Sequence, residues 1–234
     1  MRQELKRIGC LGCEPCSYLA NPLSGHIELH IEQRRILQDT RRSIGVVNNI
    51  QGIRWYSITV DGKRAHAGST PMDQRADAMV AASSMILFLN TKALEVDAVA
   101  TVGVLELDRP SSNTIPGVAT FTLDLRHQSE TELDSVEDSF RKYIEELEDE
   151  NCDFHVEMER IWHSPAVNMD KSIIECARRA AVNVVGADQV MDTRSLAGHD
   201  SALTALRVPT AMIFVPCKDG ISHAPEEFTS KEEW

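Results

Sequence analysis

Residues 118–147 read VATFTLDLRHQSETELDSVEDSFRKYIEEL, and the change of period within this stretch decides the fold. Over its first part Phe121, Leu123 and Leu125 fall on one side of an extended chain. Thr120, Thr122, Asp124 and Arg126 fall on the other, because successive strand side chains alternate. From Ser129 the spacing turns helical, with Leu133, Val136, Phe140, Ile144 and Leu147 forming one apolar stripe and Ser129 with Glu132 reading as a capping box. Working upstream, residues 98–107 return to period two, with Val99, Leu105 and Leu107 in phase. Before them Ala78, Ala82, Met85 and Leu89 share a helix face, and Thr70 reads as its cap with Pro71 at the first helical position. Residues 53–60 are rich in β-branched and aromatic side chains and stop at Asp61-Gly62, a turn signal. Downstream, Phe154, Val156 and Met158 close with a strand. The order β-α-β-β-α-β predicts a ferredoxin-like unit over residues 43–164.

The flanks have another character. Residues 211–215 form a short continuous apolar run after Pro209, which suits a strand buried on both faces of a parallel sheet, and a helical pattern over residues 173–185 precedes it. The expected architecture combines α/β and α+β parts: an α/β domain contributed by residues 1–42 and 165–234, interrupted by the ferredoxin-like unit. Residues 1–42 are too few to complete such a domain. A capping box at Ser230 and Glu233 announces a helix one turn before Trp234. Both ends are therefore read as truncated.

Composition excludes several functions. The formal charge of −12 argues against a nucleic-acid surface, which needs clustered Lys and Arg to displace counterions. No apolar run approaches the roughly 20 residues of a membrane-spanning helix, and the start MRQELKRIGC lacks the apolar core of a signal peptide, so a cytoplasmic location is the default. Without a secretory signal, the six cysteines read as reduced thiols. The spacing of Cys10, Cys13 and Cys16 also suits a metal, but no fourth cysteine follows at cluster distance.

The histidines are the chemical candidates. In residues 26–33, HIELHIEQ, strict alternation puts His26, Glu28, His30 and Glu32 on one strand face, which is either a ligand face containing His30 or a polar surface. His66 lies among small residues in AHAGSTPMD. His199 in AGHD and His223 in GISHAPEE sit in glycine-bearing loops beside acids able to orient an imidazole. His223 follows the buried strand, at the carboxyl end where open α/β sheets place their sites. His127, His155 and His163 read as surface residues. Asn113 precedes a turn, where Asn is common for backbone reasons. Arg126 suits bidentate binding of a carboxylate, or else pairs with Asp124.

In order along the chain, ELHIEQ (28–33), IQGIRWY (50–56), AHAGSTPMD (65–73), NTIPG (113–117), FTLDLR (121–126), AGHD (197–200) and PTAMIFVPCKDGISHAPEEFT (209–229) resemble the N-carbamoyl-L-amino acid hydrolase, β-ureidopropionase and allantoate amidohydrolase family. The resemblance implies a metallohydrolase domain with two divalent ions, zinc or manganese, interrupted by a lid that also forms a homodimer. Residues 1–42 and 165–234 would then be parts of the catalytic domain and residues 43–164 the lid. It further implies His30 and His223 as metal ligands, and Gln33, Asn113, Arg126 and His199 as contacts to a small carbamoyl or ureido amino acid, with Arg126 on its carboxylate. His66 would stabilise the oxyanion in the partner subunit's site. The implied reaction is metal-assisted hydrolysis of a non-peptide C–N bond, its general-base glutamate and bridging aspartate lying before the lid, outside this chain. Arg34 and Arg35 stand where the family has Gly after HIEQ, placing bulk and charge beside the implied ligand; Ala224 and Phe228 are milder departures. Two alternatives follow: a non-catalytic dimerisation module, and an aminoacylase or dipeptidase of the same fold.

Overall fold

The computed structural model describes residues 2–13, 17, 19 and 22–233. Its elements are α1 (Arg2–Arg7), β1 (His26–Ile31), α2 (Ile36–Thr40), β2 (Ile44–Ile50), β3 (Gly52–Asp61), β4 (Ala65–His66), α3 (Ala78–Glu95), β5 (Val99–Thr101), β6 (Leu105–Leu107), β7 (Thr114–Ile115), β8 (Val118–His127), α4 (Glu130–Glu150), β9 (His155–Ser164), β10 (Val167–Asn168), α5 (Lys171–Val185), β11 (Val190–Ser195), α6 (Asp200–Thr204) and β12 (Thr210–Val215). Among the described residues no helix is long and apolar enough to cross a membrane.

The middle of the chain folds as its periodicity predicts. β3, β5, β8 and β9 form an antiparallel sheet in the order β5-β8-β3-β9, with α3 and α4 supplying the two helices of a βαββαβ unit. The ladder between β3 and β8 runs unbroken from Gly52 opposite His127 to Asp61 opposite Val118. Tyr56, Ile58, Val60, Phe121, Leu123 and Leu125 point to the helices and are buried with Met85, Leu89, Leu133, Val136 and Phe140. Arg126 lies on the opposite face from the buried Leu125, as alternation requires.

Five details differ from the sequence reading. The unit begins at Gly52 rather than residue 43, because β2 ladders with β11 and β12 of the other sheet. α3 starts at Ala78, where the Asp77 carboxylate accepts the N–H groups of Met79 and Val80, and not at Thr70-Pro71. Pro71 leads only a single 3₁₀ turn, folded back by the Arg75 guanidinium on the Ala67 and Thr70 carbonyls. Residues 98–107 are two short strands. Thr101 opposes Asp124 and Leu105 opposes Phe121, so β5–β6 holds one residue more than β8 between these pairs. The extra residue shifts the phase, so that Val99, opposite Arg126, lies on the other face from Leu105 and Leu107, opposite Phe121 and Ala119. Ser129 makes no side-chain cap. Its N–H instead donates to Nδ1 of His127 at 3.0 Å, and that histidine, read from sequence as surface, is buried; His155 and His163 are exposed as expected.

The other sheet draws β1 and β2 from before the unit and β10, β11 and β12 from after it. β12 is buried as its apolar run predicts. It is parallel to β1 but antiparallel to β2, so the sheet is mixed rather than parallel. α5 packs on it, capped by Asp170 and ended at Gly186.

A polar network crosses the core of the βαββαβ unit. The buried Arg54 of β3 pairs with Glu130 and Asp134 at 2.7 Å and with Glu137 at 3.0 Å. Glu137 also accepts from Tyr56, from Arg141 at 2.8 Å and from Arg160 at 2.6 Å. Glu130 Oε1 takes the N–H of Ala166 at 2.6 Å, tying α4 to the return crossing.

Candidate active site

The parallel pair β1 and β12 carries its carboxyl ends to one side of the sheet, with His30 opposite Phe214. His30 Nδ1 lies 2.9 Å from the Ile31 carbonyl. That contact requires the proton on Nδ1, so Nε2 keeps its lone pair, the usual arrangement of a metal-binding histidine. Two residues back on the same face, Glu28 accepts from the hydroxyl and N–H of Ser201 in the first turn of α6. His199 immediately precedes α6. Its ring stands edge-on to that of His30, with centroids 4.7 Å apart, and its Nε2 lies 2.7 Å from Ser195 Oγ. Burial, reinforced by the neighbouring His30, pushes its pKa down to about 4, so the ring is neutral near pH 7.

Glu28, His30 and His199 each offer a ligand atom, and the three atoms lie within 4.8 Å of one another. This donor set, two imidazoles and a carboxylate, suits a zinc- or manganese-sized cation. Of the other polar residues on the β1 face, Glu32 is buried and caps the turn at Leu37 with a 2.8 Å bond. His26 is not in the group, and its Nε2 is buried without a hydrogen-bond partner among the described residues.

Arg126 approaches from the βαββαβ unit. Asp124 holds it by two bonds, 2.8 Å from Nε and 2.6 Å from Nη2, while Nη1 donates to the Leu196 carbonyl at 3.2 Å. Leu196 belongs to the loop that carries His199, so Arg126 is tied to that loop. Of the two sequence readings of Arg126, the pair with Asp124 is the one seen in the structure.

His66 and Asn113 meet elsewhere. β4 pairs with β7, setting His66 opposite Thr114, and the Ala67 N–H donates to the Asn113 carbonyl at 2.9 Å. Nδ1 of His66 accepts the N–H groups of Gly68 and Ser69 at 3.0 and 3.1 Å. The neutral ring thus carries its proton on Nε2. This ribbon follows the Asp61 end of β3, whereas Arg126 opposes Ile53 at the other end. At about 3.3 Å per residue the two ends are roughly 30 Å apart.

Gln33 adopts a left-handed conformation just beyond β1 (φ 58°). Next to it, Arg34 and Arg35 pack on Gly220 so closely that a Cβ there would lie 2.9 Å from both, and Arg35 turns away to pair with Asp39. His223, also left-handed, is exposed, and its N–H donates to Glu227 at 2.9 Å. It stands outside the Glu28–His30–His199 group. Cys10 and Cys13 are exposed, and Cys16 lies outside the described residues. Glu28 lies on the alternating polar face of residues 26–32 with nothing in the sequence to set it apart from its neighbours, and Ser195 and Ser201 carry no local signal.

A mixed sheet with histidine and carboxylate ligand atoms gathered beside its parallel strand ends, and a βαββαβ unit set between its strands, define a two-part architecture of α/β and α+β parts. The chain matches Peptidase family M20/M25/M40 over residues 11–234, and it belongs to that family. It is 36% identical over 234 residues to the N-carbamoyl-L-amino-acid amidohydrolase of Rhizobium meliloti, covering 98% of this chain and 54% of that protein. It is also 36% identical to the allantoate amidohydrolase of Escherichia coli, covering 89% of this chain and 50% of that one. The crystal structure of a hydantoinase/carbamoylase family amidase from Burkholderia multivorans superposes with a TM-score of 0.86 at 39% identity, over 99% of this chain and 56% of that chain. The chain spans about half the length of these relatives.

Proposed function

We propose that this chain is part of a metal-dependent amidohydrolase that cleaves the carbamoyl or ureido C–N bond of an N-carbamoyl-amino-acid-like substrate. The observation that carries the reading is the meeting of His30 and His199, their rings 4.7 Å apart, beside the carboxyl ends of β1 and β12, with Arg126 bonded to the loop that carries His199. The names of the relatives, which include a ureidoglycolate hydrolase of Arabidopsis thaliana, support the same substrate chemistry. The setting is taken to be cytoplasmic, with neither nucleic acid nor membrane as partner.

In this reading His30, with His223 brought in from its loop, holds part of a pair of divalent ions, zinc or manganese. When bound, they supply Lewis-acid polarisation of the carbamoyl carbonyl and acidify water. Arg126 receives the substrate carboxylate on the edge now spent on Leu196, and Asp124 keeps the guanidinium aimed. Neutral His199 and Gln33 contact the polar atoms of the substrate. The length of β3, roughly 30 Å, separates His66 and Asn113 from Arg126 of their own copy, which favours action across a homodimer. There the Nε2–H of His66 donates to the oxyanion that forms when water adds to the carbamoyl carbon. Collapse expels the amino acid nitrogen, and the released carbamate breaks down to ammonia and carbon dioxide.

The test is a substrate panel of N-carbamoyl-L-amino acids, allantoate, ureidoglycolate, N-acetyl amino acids and dipeptides, each with zinc or manganese. Turnover confined to the acetyl and dipeptide arms would replace this reading with an aminoacylase or dipeptidase. Arg34 and Arg35, which follow directly on β1 and its His30, favour a second reading, a non-catalytic dimerisation module, which predicts no turnover in any arm.

A further inference from the structure

The face of the βαββαβ sheet turned away from α3 and α4 carries two exposed tryptophans, and a bulge in β9 puts one of them there. Along β9, Val156, Met158 and Arg160 stand opposite Val60, Ile58 and Tyr56 of β3. They point to the helices, where Arg160 reaches Glu137 at 2.6 Å. Continued alternation would turn Trp162 the same way. The ladder instead slips between Trp55 and Tyr56, so Ile161 is skipped and Trp162 falls opposite Trp55. One inserted residue thus re-aims the side chains beyond it, a device common beside active sites. The two indoles lie with ring centroids 4.7 Å apart at 41° and stay 40% and 43% exposed.

The pair adjoins the groups that the proposed function assigns to the substrate. Asp124 and Arg126 of β8 stand opposite Trp55 and Ile53 of β3, so all four share the helix-free face in two successive rungs. Ile53 is buried, and a Cβ on Gly198 would lie 3.8 Å from its Cδ1, which places the loop carrying His199 over it. Trp55 is the diagonal neighbour of Arg126. Diagonal neighbours in a sheet are roughly 7–8 Å apart, a gap that an aromatic or long side chain spans. Holding β9 on the sheet gives no reason for both rings to stay open, since an aromatic side chain stabilises most when it is buried.

We infer that Trp55 and Trp162 form the subsite for the substrate's own side chain and select N-carbamoyl amino acids with a large apolar, above all aromatic, side chain. With the carboxylate on Arg126, that side chain meets Ile53 and then the two indoles. Apolar and aromatic walls with a few polar anchors are the usual composition of a small-molecule site. Glu159, opposite Ser57 one rung further on, would favour a cationic side chain instead. Yet a substrate anchored at Arg126 arrives from the Ile53 side, and the Asp124 carboxylate nearest the rings is engaged by Arg126. The inference rests on the carbamoyl amino acid reading and names the class of side chain it takes.

Calorimetry and fluorescence on the full chain with zinc test it without requiring turnover. N-carbamoyl-L-phenylalanine should bind at least about tenfold more tightly than N-carbamoyl-L-alanine. In a Trp234→Phe chain, whose remaining tryptophans are Trp55 and Trp162, it should also shift the emission to the blue as the rings lose water. Trp55→Ala and Trp162→Ala should each remove most of the tenfold ratio, with an unchanged far-UV spectrum since both positions are exposed, and Trp55→Phe should keep it. Under turnover the ratio should appear in KM rather than kcat. Equal affinity for the phenylalanine and alanine compounds, or tightest binding of N-carbamoyl-L-lysine, would overturn the subsite and leave the proposed function standing. Failure to bind any of the three would overturn both.

Discussion

Replacing Glu137 by Gln should cost about 3 kcal/mol of folding stability at pH 7, a figure that follows from its surroundings. Its side chain is 8% exposed and meets Arg54, Arg141 and Arg160 within 3.0 Å. Burial opposes its ionisation, yet the hydrogen bonds from Tyr56, Arg141 and Arg160 outweigh burial and hold it down to about 2, against 4.5 for an unconstrained Glu. At about 1.36 kcal/mol for each pH unit, that gap stabilises the fold by about 3 kcal/mol once the group is ionised in both states. Because the folded pKa is the lower one, this stability is complete above pH 4.5 and lost as pH falls toward 2. Urea unfolding at pH 7, 5 and 3.5 measures it. The deficit of Glu137→Gln should be full at pH 7 and 5 and smaller at 3.5. A variant within about 0.5 kcal/mol of wild type at pH 7 would refute the reasoning and make the network a neutral exchange of ion pairs for burial.

Three further outcomes are expected. Gly62→Ala should destabilise by about 1–3 kcal/mol in the same assay, because its Cβ would fall 2.3 Å from the Ala76 carbonyl oxygen. His199 should titrate near 4 by ¹⁵N NMR; its depressed pKa makes its stabilising contribution complete above about 6.5 and lost as pH falls through 4, and a midpoint above 6 would contradict its burial. In the proposed enzyme Arg126→Lys should raise KM for a carboxylate substrate by at least about tenfold with a smaller change in kcat, since lysine cannot reproduce the fork that Asp124 aims.

The βαββαβ unit was legible because its apolar residues keep strict periods, and those periods are enforced by a core in which Phe121, Leu123, Leu125 and Phe140 have almost no exposure. Helix starts were less legible. Ser129 and Thr70 have the chemistry of caps, but the buried His127 imidazole and the Arg75 guanidinium claim the local hydrogen bonds, and neither competition is written in local spacing. The strand at residues 98–107 broke for a comparable reason, one inserted residue opposite β8. In the site, alternation along β1 announced the face carrying Glu28 and His30. The arrival of His199 beside it depends on β11 and α6, which only the tertiary fold places. The pairing of β4 with β7, which sets His66 opposite Thr114 and next to Asn113, links residues 48 apart in the chain and had no local signature.

The most direct test of the amidohydrolase reading is ammonia release from an N-carbamoyl-L-amino acid by the protein loaded with zinc or manganese, with His30→Ala beside it. The expected result is metal-dependent turnover that His30→Ala abolishes, together with weaker metal binding by calorimetry. Turnover that persists in His30→Ala, or that needs no divalent ion, would contradict it.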